Sequence, residues 1–225
     1  MIGLQIRKRQ RQVGREMVER FRVIPVANIS DCMLRMTAGG PRLRPMHASG
    51  NMAGPALTVK TRPGDNLMIH KAIALAQPGD VIVVDGGGDL TNALIGEIMV
   101  TYAATRGIAG FVIDGAIRDV DMIRGNKLPV YAAGVTHRGP YKDGPGEINV
   151  PIAIDGMVIH PGDLIVGDAD GMLCIGYDDV ETVLRAATDK VAAEAKTMKA
   201  IAEGRLDTSW IDAALTRIGC DPQPL

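Results

Sequence analysis

Aromatic side chains, net charge and long apolar runs are all scarce in this sequence. Phe, Trp and Tyr together make up 3% of the 225 residues, so flat stacking surfaces for bases or sugar rings are not expected. The formal net charge is −1, and a nearly neutral chain has no overall field that would attract nucleic acid. One local basic segment, residues 7–15, is the exception, and we interpret it as a solvated arm or helix face.

Membrane and export signals are also missing. No run approaches the roughly 20 consecutive apolar residues that span a bilayer, and the first residues contain no apolar signal-peptide core. The cysteines Cys32, Cys174 and Cys220 are far apart, which argues against a zinc site and suits a reducing compartment. We therefore expect a cytoplasmic protein that has neither a membrane nor a nucleic acid as its partner.

Several common catalytic signatures are absent. The sequence contains no GxxxxGKS or GxxxxGKT, no HExxH and no GxSxG, which disfavours P-loop nucleotide chemistry, zinc proteolysis and serine hydrolysis. The glycine-rich stretch DGGGDLTNALIG, residues 85–96, does not match GxGxxG. A dinucleotide site is therefore not expected there.

What is present is an alternation of apolar runs and helical patterns. The predicted strands are 56–61, 81–85, 109–114 and 128–134, and the predicted helices between them are 67–76, 93–107 and 119–125. This pattern predicts an α/β fold with a parallel or mixed sheet, in which helix 93–107 is the crossover between two neighbouring strands. Further helices are predicted over 4–22, within 24–36, over 178–203 and over 208–219, with short strands joined by glycine turns over 153–176.

An arginine–aspartate pair, Arg118-Asp119, follows predicted strand 109–114. Predicted strand 81–85 runs into the glycine-rich loop, and the first turns of the next helix contain Glu97. Loops that follow neighbouring parallel strands lie at one sheet edge, where α/β proteins bind ligands. The sequence thus predicts a site for a 2-oxo acid. The amides at the helix start would bind the carboxylate of the 2-oxo acid, and Arg118 would stabilise a developing enolate oxygen. Asp119 would bind a Mg²⁺ ion, and Glu97 would hold a water molecule on that ion.

A simpler interpretation of the same residues stays open. An Asp between a strand and a helix is most often a helix cap, and the Arg beside it most often forms a surface ion pair. Asp85 and Asp114, at the ends of two predicted strands, are expected to hydrogen-bond and hold the loops.

The stretch GEIMVTYAATRGIAGFVIDGAIRD, residues 96–119, resembles a signature of the RraA-like family: an acid, twenty intervening residues, then Arg-Asp. That family includes regulators of ribonuclease E activity and class II 4-hydroxy-4-methyl-2-oxoglutarate / 4-carboxy-4-hydroxy-2-oxoadipate aldolases. Segments 63–73, 78–84 and 161–172 are also similar to family segments. The resemblance extends over about residues 25–200.

The resemblance implies a swivelling β/β/α domain with mixed sheets, an N-terminal helix and a C-terminal helical extension. The single domain would span residues 1–225, with its core at about 25–177 and the extension at 178–225. It also implies trimers or dimers of trimers with the active site between subunits, and a divalent metal, Mg²⁺ or Mn²⁺.

The resemblance also implies roles for individual residues. Asp119 would bind the metal, and Arg118 would bind the substrate carbonyl or enolate. Glu194 would correspond to an acid that, in the aldolases of the family, lies near the active site of the neighbouring subunit. Characterised aldolases usually have Asp where this chain has Glu97, which puts the metal geometry and substrate preference in question. The substrate carboxylate would lie on the amides of Leu94, Ile95, Gly96, Glu97, Ile98 and Met99.

Two further polar residues are weaker candidates for substrate contact. Asn66 directly precedes the predicted helix that contains His70. A lone His on an apolar helix is more often a hydrogen-bonded core or interface residue than a ligand, and Glu194 could equally be a solvated helix residue.

The function expected from these observations is a metal-dependent lyase (an aldolase) that releases pyruvate. It would cleave a 4-hydroxy-2-oxo acid by a retro-aldol reaction, with Glu97 or Glu194 orienting the water that takes the C4-hydroxyl proton. Oxaloacetate decarboxylation passes through the same enolate and is expected as a second activity. The alternatives are a non-catalytic, protein-binding regulator of a ribonuclease and a related metal enzyme for another 2-oxo acid. The helix over 178–203 favours the aldolases, because the ribonuclease regulators are shorter.

Overall fold

A computed structural model describes residues 2–36 and 39–222 of the chain. Residues 1, 37, 38 and 223–225 of the predicted domain lie outside the described residues. The chain divides into two compact units, Met1–Ala187 and Thr188–Leu225. No helix within the described ranges is long and apolar enough to cross a membrane.

The longest strands are the third, with 10 residues, and the sixth, with 8 residues. The strands are β1 (Leu4–Ile6), β2 (Arg44–Pro45), β3 (Met52–Thr61), β4 (Val81–Asp85), β5 (Ala93–Ile95), β6 (Gly110–Ile117), β7 (Val130–Val135), β8 (Gly146–Ile148), β9 (Ile152–Ile154), β10 (Met157–Ile159), β11 (Leu164–Gly167) and β12 (Met172–Ile175). The helices are α1 (Arg15–Phe21), α2 (Val26–Cys32), α3 (Leu67–Leu75), α4 (Glu97–Thr105), α5 (Val120–Gly125), α6 (Val180–Ala202) and α7 (Ser209–Arg217), and a 3₁₀ turn at Tyr177–Asp179 precedes α6.

The central strands form a mixed sheet in the order β1-β8-β3-β4-β6-β7-β2. Strands β3, β4, β6 and β7 are parallel neighbours, and α4 lies between β4 and β6 in the chain, so the predicted α/β class and crossover are confirmed. Strand β3 also pairs antiparallel with β8 and with β11, which in turn pairs with β12. The long third strand therefore joins the parallel region to the β-rich region.

The apolar run of β4 explains the layering. Ile82 and Val84 belong to a core cluster with α3, α4 and α5, whereas Val81 and Val83 belong to a second cluster with β9, β10 and β12. Successive side chains of a strand point to opposite faces. A strand that is apolar at every position is therefore buried on both sides, as parallel strands usually are. A third cluster packs α1, α2 and the start of α6 on β11 and β12.

Two sequence predictions were wrong in detail. The helix predicted over 4–22 is a strand at Leu4–Ile6, an extended segment, and a helix only at Arg15–Phe21. Among residues 4–13 only Val13 is buried, so no apolar stripe at helical spacing supports a helix there, and β1 instead pairs with β8. The helix predicted from residue 93 starts at Glu97, because Ala93–Ile95 pair with β6 first.

The second unit contains the later turns of α6 and all of α7. No described residue of α7 is buried, and Met198, Trp210 and Ile218 are exposed. The long helix predicted over 178–203 and the short one over 208–219 are both present.

Candidate active site at the carboxyl edge of the sheet

The two loops predicted to meet do leave the sheet side by side. Asp85 of β4 is opposite Asp114 of β6 in the parallel register. Beyond that point β5 pairs with the end of β6, and the amide of Arg118 donates to the carbonyl of Ile95 at 3.0 Å. This pairing brings the first residue of α4 next to the Arg118-Asp119 pair.

Asp119 has an unusual backbone conformation for a residue with a side chain. Its φ and ψ are 59° and 38°, in the left-handed region, at the N-cap position of α5. Its carboxylate makes no capping bond to α5. Instead its Oδ2 accepts a hydrogen bond from the amide of Glu97 at 3.0 Å. A non-glycine residue in this region costs roughly 1–3 kcal/mol, which its surroundings must offset. The result here is a carboxylate turned toward α4. Asp119 therefore occupies the N-cap position, but the expectation that its side chain caps α5 was wrong.

Gly96 makes this approach possible. A Cβ atom at Gly96 would lie 2.4 Å from Oδ2 of Asp119 and 3.0 Å from Cγ of Arg118. Its φ of −155° is extended backbone that any residue can adopt. The glycine is therefore required by the space that the two side chains occupy.

Arg118 remains half-exposed beside its neighbour. Its Nε lies 3.7 Å from Oδ2 of Asp119, and both side chains are 42% exposed. An exposed pair at this distance contributes little to stability. The guanidinium and the carboxylate both face a cleft, which is lined by Asn66, His70, Ala93, Leu94, Ile95, Gly96, Ile98, Met99, Arg118, Asp119, Pro140 and Lys142.

The predicted polar residues Asn66 and His70 differ in their surroundings. Asn66 is 3% exposed, and its Nδ2 donates to the carbonyl of Leu94 at 3.0 Å, while its Oδ1 has no partner among the described residues. His70 is exposed at the cleft and is not a core residue. Partial burial and the charge of Lys142 lower the pKa of His70, which favours a neutral imidazole at neutral pH.

The two predicted glutamates lie elsewhere. The backbone of Glu97 binds Asp119, but its side chain lines an adjoining cleft with Thr101, Asp121 and Asn126. Glu194 lies on the part of α6 that belongs to the second unit, where its Oε1 is 3.3 Å from Nζ of Lys190. Within this chain the structure therefore brings together Arg118, Asp119 and the start of α4, without the carboxylate of Glu97.

Asp119 fits a divalent cation as a single anchoring carboxylate. Across residues 2–36 and 39–222, no group of three or more His, Cys, Asp or Glu side chains is arranged to hold a metal, so a closed protein cage is not present there. Mg²⁺ characteristically binds one or two carboxylates and completes its shell with waters and substrate oxygens. Asp119, a half-exposed carboxylate in an open cleft, could provide one such ligand and leave the other positions to water and substrate.

Asp65 and the loop that it holds were missed by the sequence analysis. Asp65 is fully buried, and its carboxylate accepts hydrogen bonds from the amides of Leu67, Asp143 and Gly144 at 2.7–2.9 Å. Burial alone would raise the pKa of Asp65, but these amides and Arg62 hold it below its ordinary value. This carboxylate fixes the loop that contains Lys142 beside the start of α3. In the sequence, only the Pro-Gly-Asp turn before Asn66 indicated that Asp65 has a structural role.

The strand-end aspartates hold loops, as predicted. Oδ1 of Asp85 accepts from the amide of Gly87 at 3.1 Å, and Asp114 is paired with Arg42. Burial raises the pKa of Asp114, and Arg42 counteracts part of that shift. A Cβ at Gly88 would collide with Arg42, so this pair lies directly against the glycine-rich loop.

Comparison with known proteins identifies the family of this chain. The family model for RraA-like proteins, described as Aldolase/RraA, matches residues 26–174. The chain belongs to the RraA-like family. It is 43% identical over 188 residues, 84% of this chain and 90% of the relative, to a protein of Halalkalibacterium halodurans named "Putative 4-hydroxy-4-methyl-2-oxoglutarate aldolase".

Solved structures of similar proteins confirm the RraA-like fold. An uncharacterized protein from Pseudomonas syringae matches with a TM-score of 0.77 and 26% identity over 86% of this chain and 95% of its own. The RNA-processing inhibitor RraA from Thermus thermophilus matches with a TM-score of 0.63 and 30% identity over 67% of this chain and 92% of its own. One fold therefore accompanies different functional descriptions, and function has to be argued from the site.

Proposed function

We propose that this RraA-like protein is a lyase that cleaves 4-hydroxy-2-oxo acids, such as 4-hydroxy-4-methyl-2-oxoglutarate or 4-carboxy-4-hydroxy-2-oxoadipate, to release pyruvate. The observation that carries the proposal is the convergence of Arg118, the carboxylate of Asp119 and the start of α4 on one cleft. These groups match the three needs of a 2-oxo acid: a cation, a metal anchor and amide donors.

The substrate carboxylate would bind at the start of α4. Val100 is the first residue of α4 whose amide reaches back one turn, to the carbonyl of Gly96 at 3.1 Å. The amide of Glu97 is occupied by Asp119, whereas those of Ile98 and Met99 precede the helical ladder and have no acceptor within it. Two such donors at a helix N-terminus favour an anion.

Arg118 would stabilise the charge that develops on the substrate. When the C3–C4 bond breaks, the electron pair moves onto the former carbonyl oxygen of the pyruvate unit and forms an enolate. A guanidinium beside that oxygen is a charge-assisted donor, and removal of one such donor typically lowers kcat by about 10²–10³-fold. Decarboxylation of oxaloacetate gives the same enolate, so we propose it as a second activity.

Asp119 would hold Mg²⁺ or Mn²⁺, and the bound ion would polarise the substrate carbonyl as a Lewis acid. The C4-hydroxyl proton needs a base, for which Glu97 and Glu194 are the candidates. Because Glu97 lines the adjoining cleft, Glu194 from a second copy of the chain is the stronger candidate. This assignment requires an oligomer, which we propose is a trimer or hexamer with its active sites between subunits.

The test is pyruvate release from 4-hydroxy-4-methyl-2-oxoglutarate and from oxaloacetate, with and without Mg²⁺ or Mn²⁺. Arg118→Ala and Asp119→Ala should each lower kcat by at least about 10²-fold. Arg124→Ala is the matched control, because Arg124 is exposed on α5 and pairs only loosely, at 3.9 Å, with Asp121. Activity without metal, or variants as active as the wild type, would contradict this mechanism.

A ribonuclease regulator is the second candidate, favoured by the similarity to the Thermus thermophilus RNA-processing inhibitor. It predicts no turnover of any 2-oxo acid and direct binding to a ribonuclease. Metal-dependent turnover of a different 2-oxo acid would instead indicate a related enzyme with another substrate.

A further inference from the structure

The basic segment near the N-terminus is fixed to the first unit as an extended strap, which we define as residues 7–13. The amide of Arg7 donates to the carbonyl of Ile148 at 3.0 Å, and the amide of Val13 donates to that of Gly162 at 3.1 Å. Nδ2 of Asn149 donates to the carbonyl of Arg7 at 2.9 Å. The strap is thus an arm that is anchored at both ends and largely exposed, as one of the two sequence expectations had it, and it is not a helix face.

Two further contacts fix the middle of the strap. The side chain of Arg9 is 11% exposed and pairs at 2.8 Å with Asp80, which is 2% exposed. The strap also crosses directly over Gly162, where a Cβ would lie 2.0 Å from the carbonyl oxygen of Arg11. A backbone held this closely has little conformational entropy of its own left to lose on binding.

The strap forms one wall of a groove of about 530 Å³. Four basic residues of the strap line it, Arg7, Lys8, Arg9 and Arg11, together with the polar residues Gln10, Asn149 and His160, and none of its described lining residues is acidic. This groove is separate from the Arg118 cleft, with which it shares no lining residue.

The charges in the groove are only partly neutralised by carboxylates around it. Asp80 pairs with Arg9, which is only partly exposed. Asp178 lies 2.9 Å from Arg11, but that pair is half-exposed and therefore weak. A hydrogen bond from Gln5 is the main cause that lowers the pKa of Glu147. The charge of Arg7 lowers this pKa slightly, so Glu147 offsets little of the charge of Arg7. The groove thus retains a positive field.

We propose that this groove binds a small polyphosphate, either an inorganic chain or the phosphate chain of a nucleotide. Guanidinium groups bind phosphate oxygens through paired, charge-assisted hydrogen bonds. Arg7 and Arg11 are four residues apart on extended backbone, a span of roughly 13 Å, so a row of phosphates suits them better than a single anion. The groove also has the volume of a small-ligand site.

Nucleic acid is the less favoured occupant. Bases need open aromatic rings to stack on, and the ring of Tyr177 is already covered by Arg11 at 4.6 Å. The net charge of −1 also gives no overall field that would attract a long polyanion.

The test uses the full chain and inorganic tripolyphosphate as the probe, with binding measured by calorimetry at low salt. The double variant Arg7→Ala/Lys8→Ala should bind at least about tenfold more weakly than the wild type. Arg20→Ala/Lys127→Ala is the matched control, because it removes the same charge from exposed positions outside the groove. The control should bind like the wild type, and pyruvate release should be equal in all three proteins.

Three results would overturn the proposal. One is the absence of binding to the wild type at 50 mM salt or below, where charge attraction is least screened. Another is equal weakening in the control variant, which would indicate general charge attraction. The last is tighter binding of an RNA oligomer that grows with its length, which would indicate a nucleic-acid surface.

Discussion

Asp119 combines a strained backbone with a hydrogen bond from the first residue of a neighbouring helix. Its left-handed φ of 59° turns the carboxylate away from its own helix and onto the amide of Glu97. One oxygen is thereby fixed, while the side chain remains 42% exposed at the cleft. A carboxylate held in this way is preorganised for a ligand, because little reorganisation is needed on binding.

Gly96→Ala should test this preorganisation directly. The added Cβ would lie 2.4 Å from Oδ2 of Asp119, so the half-exposed side chain must move. We expect kcat for pyruvate release to fall by roughly 10²-fold, as misplacement by about 1 Å commonly causes, while the melting temperature changes by only a few degrees.

The control for this substitution is Gly125→Ala on α5, where an added Cβ meets nothing within 4 Å. It should keep both kcat and melting temperature. A fully active Gly96→Ala protein would show that the position of Asp119 does not limit the reaction.

At the scale of elements, burial on both faces made the inner strands predictable. The runs at 81–85 and 109–114 are almost wholly apolar, and they form β4 and β6 with the expected parallel pairing. The position of Arg118-Asp119 beyond β6 followed from the same rule. Elements that depend on distant partners were not predictable, since β1 exists through its pairing with β8 and β5 through its pairing with β6.

The loop that contains Lys142 is another element that depends on a distant partner. Asp65→Asn would replace a buried acceptor of three amide hydrogen bonds with a group that accepts through one oxygen only. We expect the free energy of unfolding at pH 7 to fall by about 2–3 kcal/mol. We also expect KM to rise more than kcat falls, because Lys142 lines the cleft.

The stability loss should depend on pH in a defined direction. The amide donors and Arg62 hold the folded-state pKa of Asp65 below that of an ordinary aspartate. Its ionised form therefore stabilises the fold above the unfolded-state pKa, and this effect is lost as the pH falls through the folded-state pKa. Denaturant unfolding at several pH values should therefore show the difference between wild type and Asp65→Asn narrowing below about pH 4. A difference that is constant with pH would contradict a role for the charge.

At the scale of the whole molecule, the first unit contains the three core clusters and the Arg118 cleft. The second unit contains Glu194 and a helix, α7, without buried residues. Trp210 and Ile218 are exposed, and contact of such apolar side chains with water is unfavourable in free energy. Burial of these side chains against another copy of the chain would fit the proposed oligomer. The sequence pattern of α7 does not identify what covers these side chains, because an amphipathic helix does not specify its partner.

A site shared between subunits predicts complementation between inactive variants. Asp119→Ala and Glu194→Gln should each be nearly inactive alone. In a mixed ring, a site is intact when its Asp119 comes from the Glu194→Gln chain and its Glu194 from the Asp119→Ala chain. Random assembly of equal amounts should therefore restore about a quarter of the wild-type sites.

Pyruvate release by co-expressed and co-purified variants measures this recovery, with subunit composition verified by mass spectrometry. The control mixes Arg118→Ala with Asp119→Ala. Both residues line the same cleft of one chain, so no combination of those two chains provides an intact site. Recovery in the first mixture and none in the second would place Glu194 across a subunit boundary from Asp119. No recovery in a verified hybrid would argue that each site is built from one chain, and a fully active Glu194→Gln protein would remove Glu194 from the mechanism.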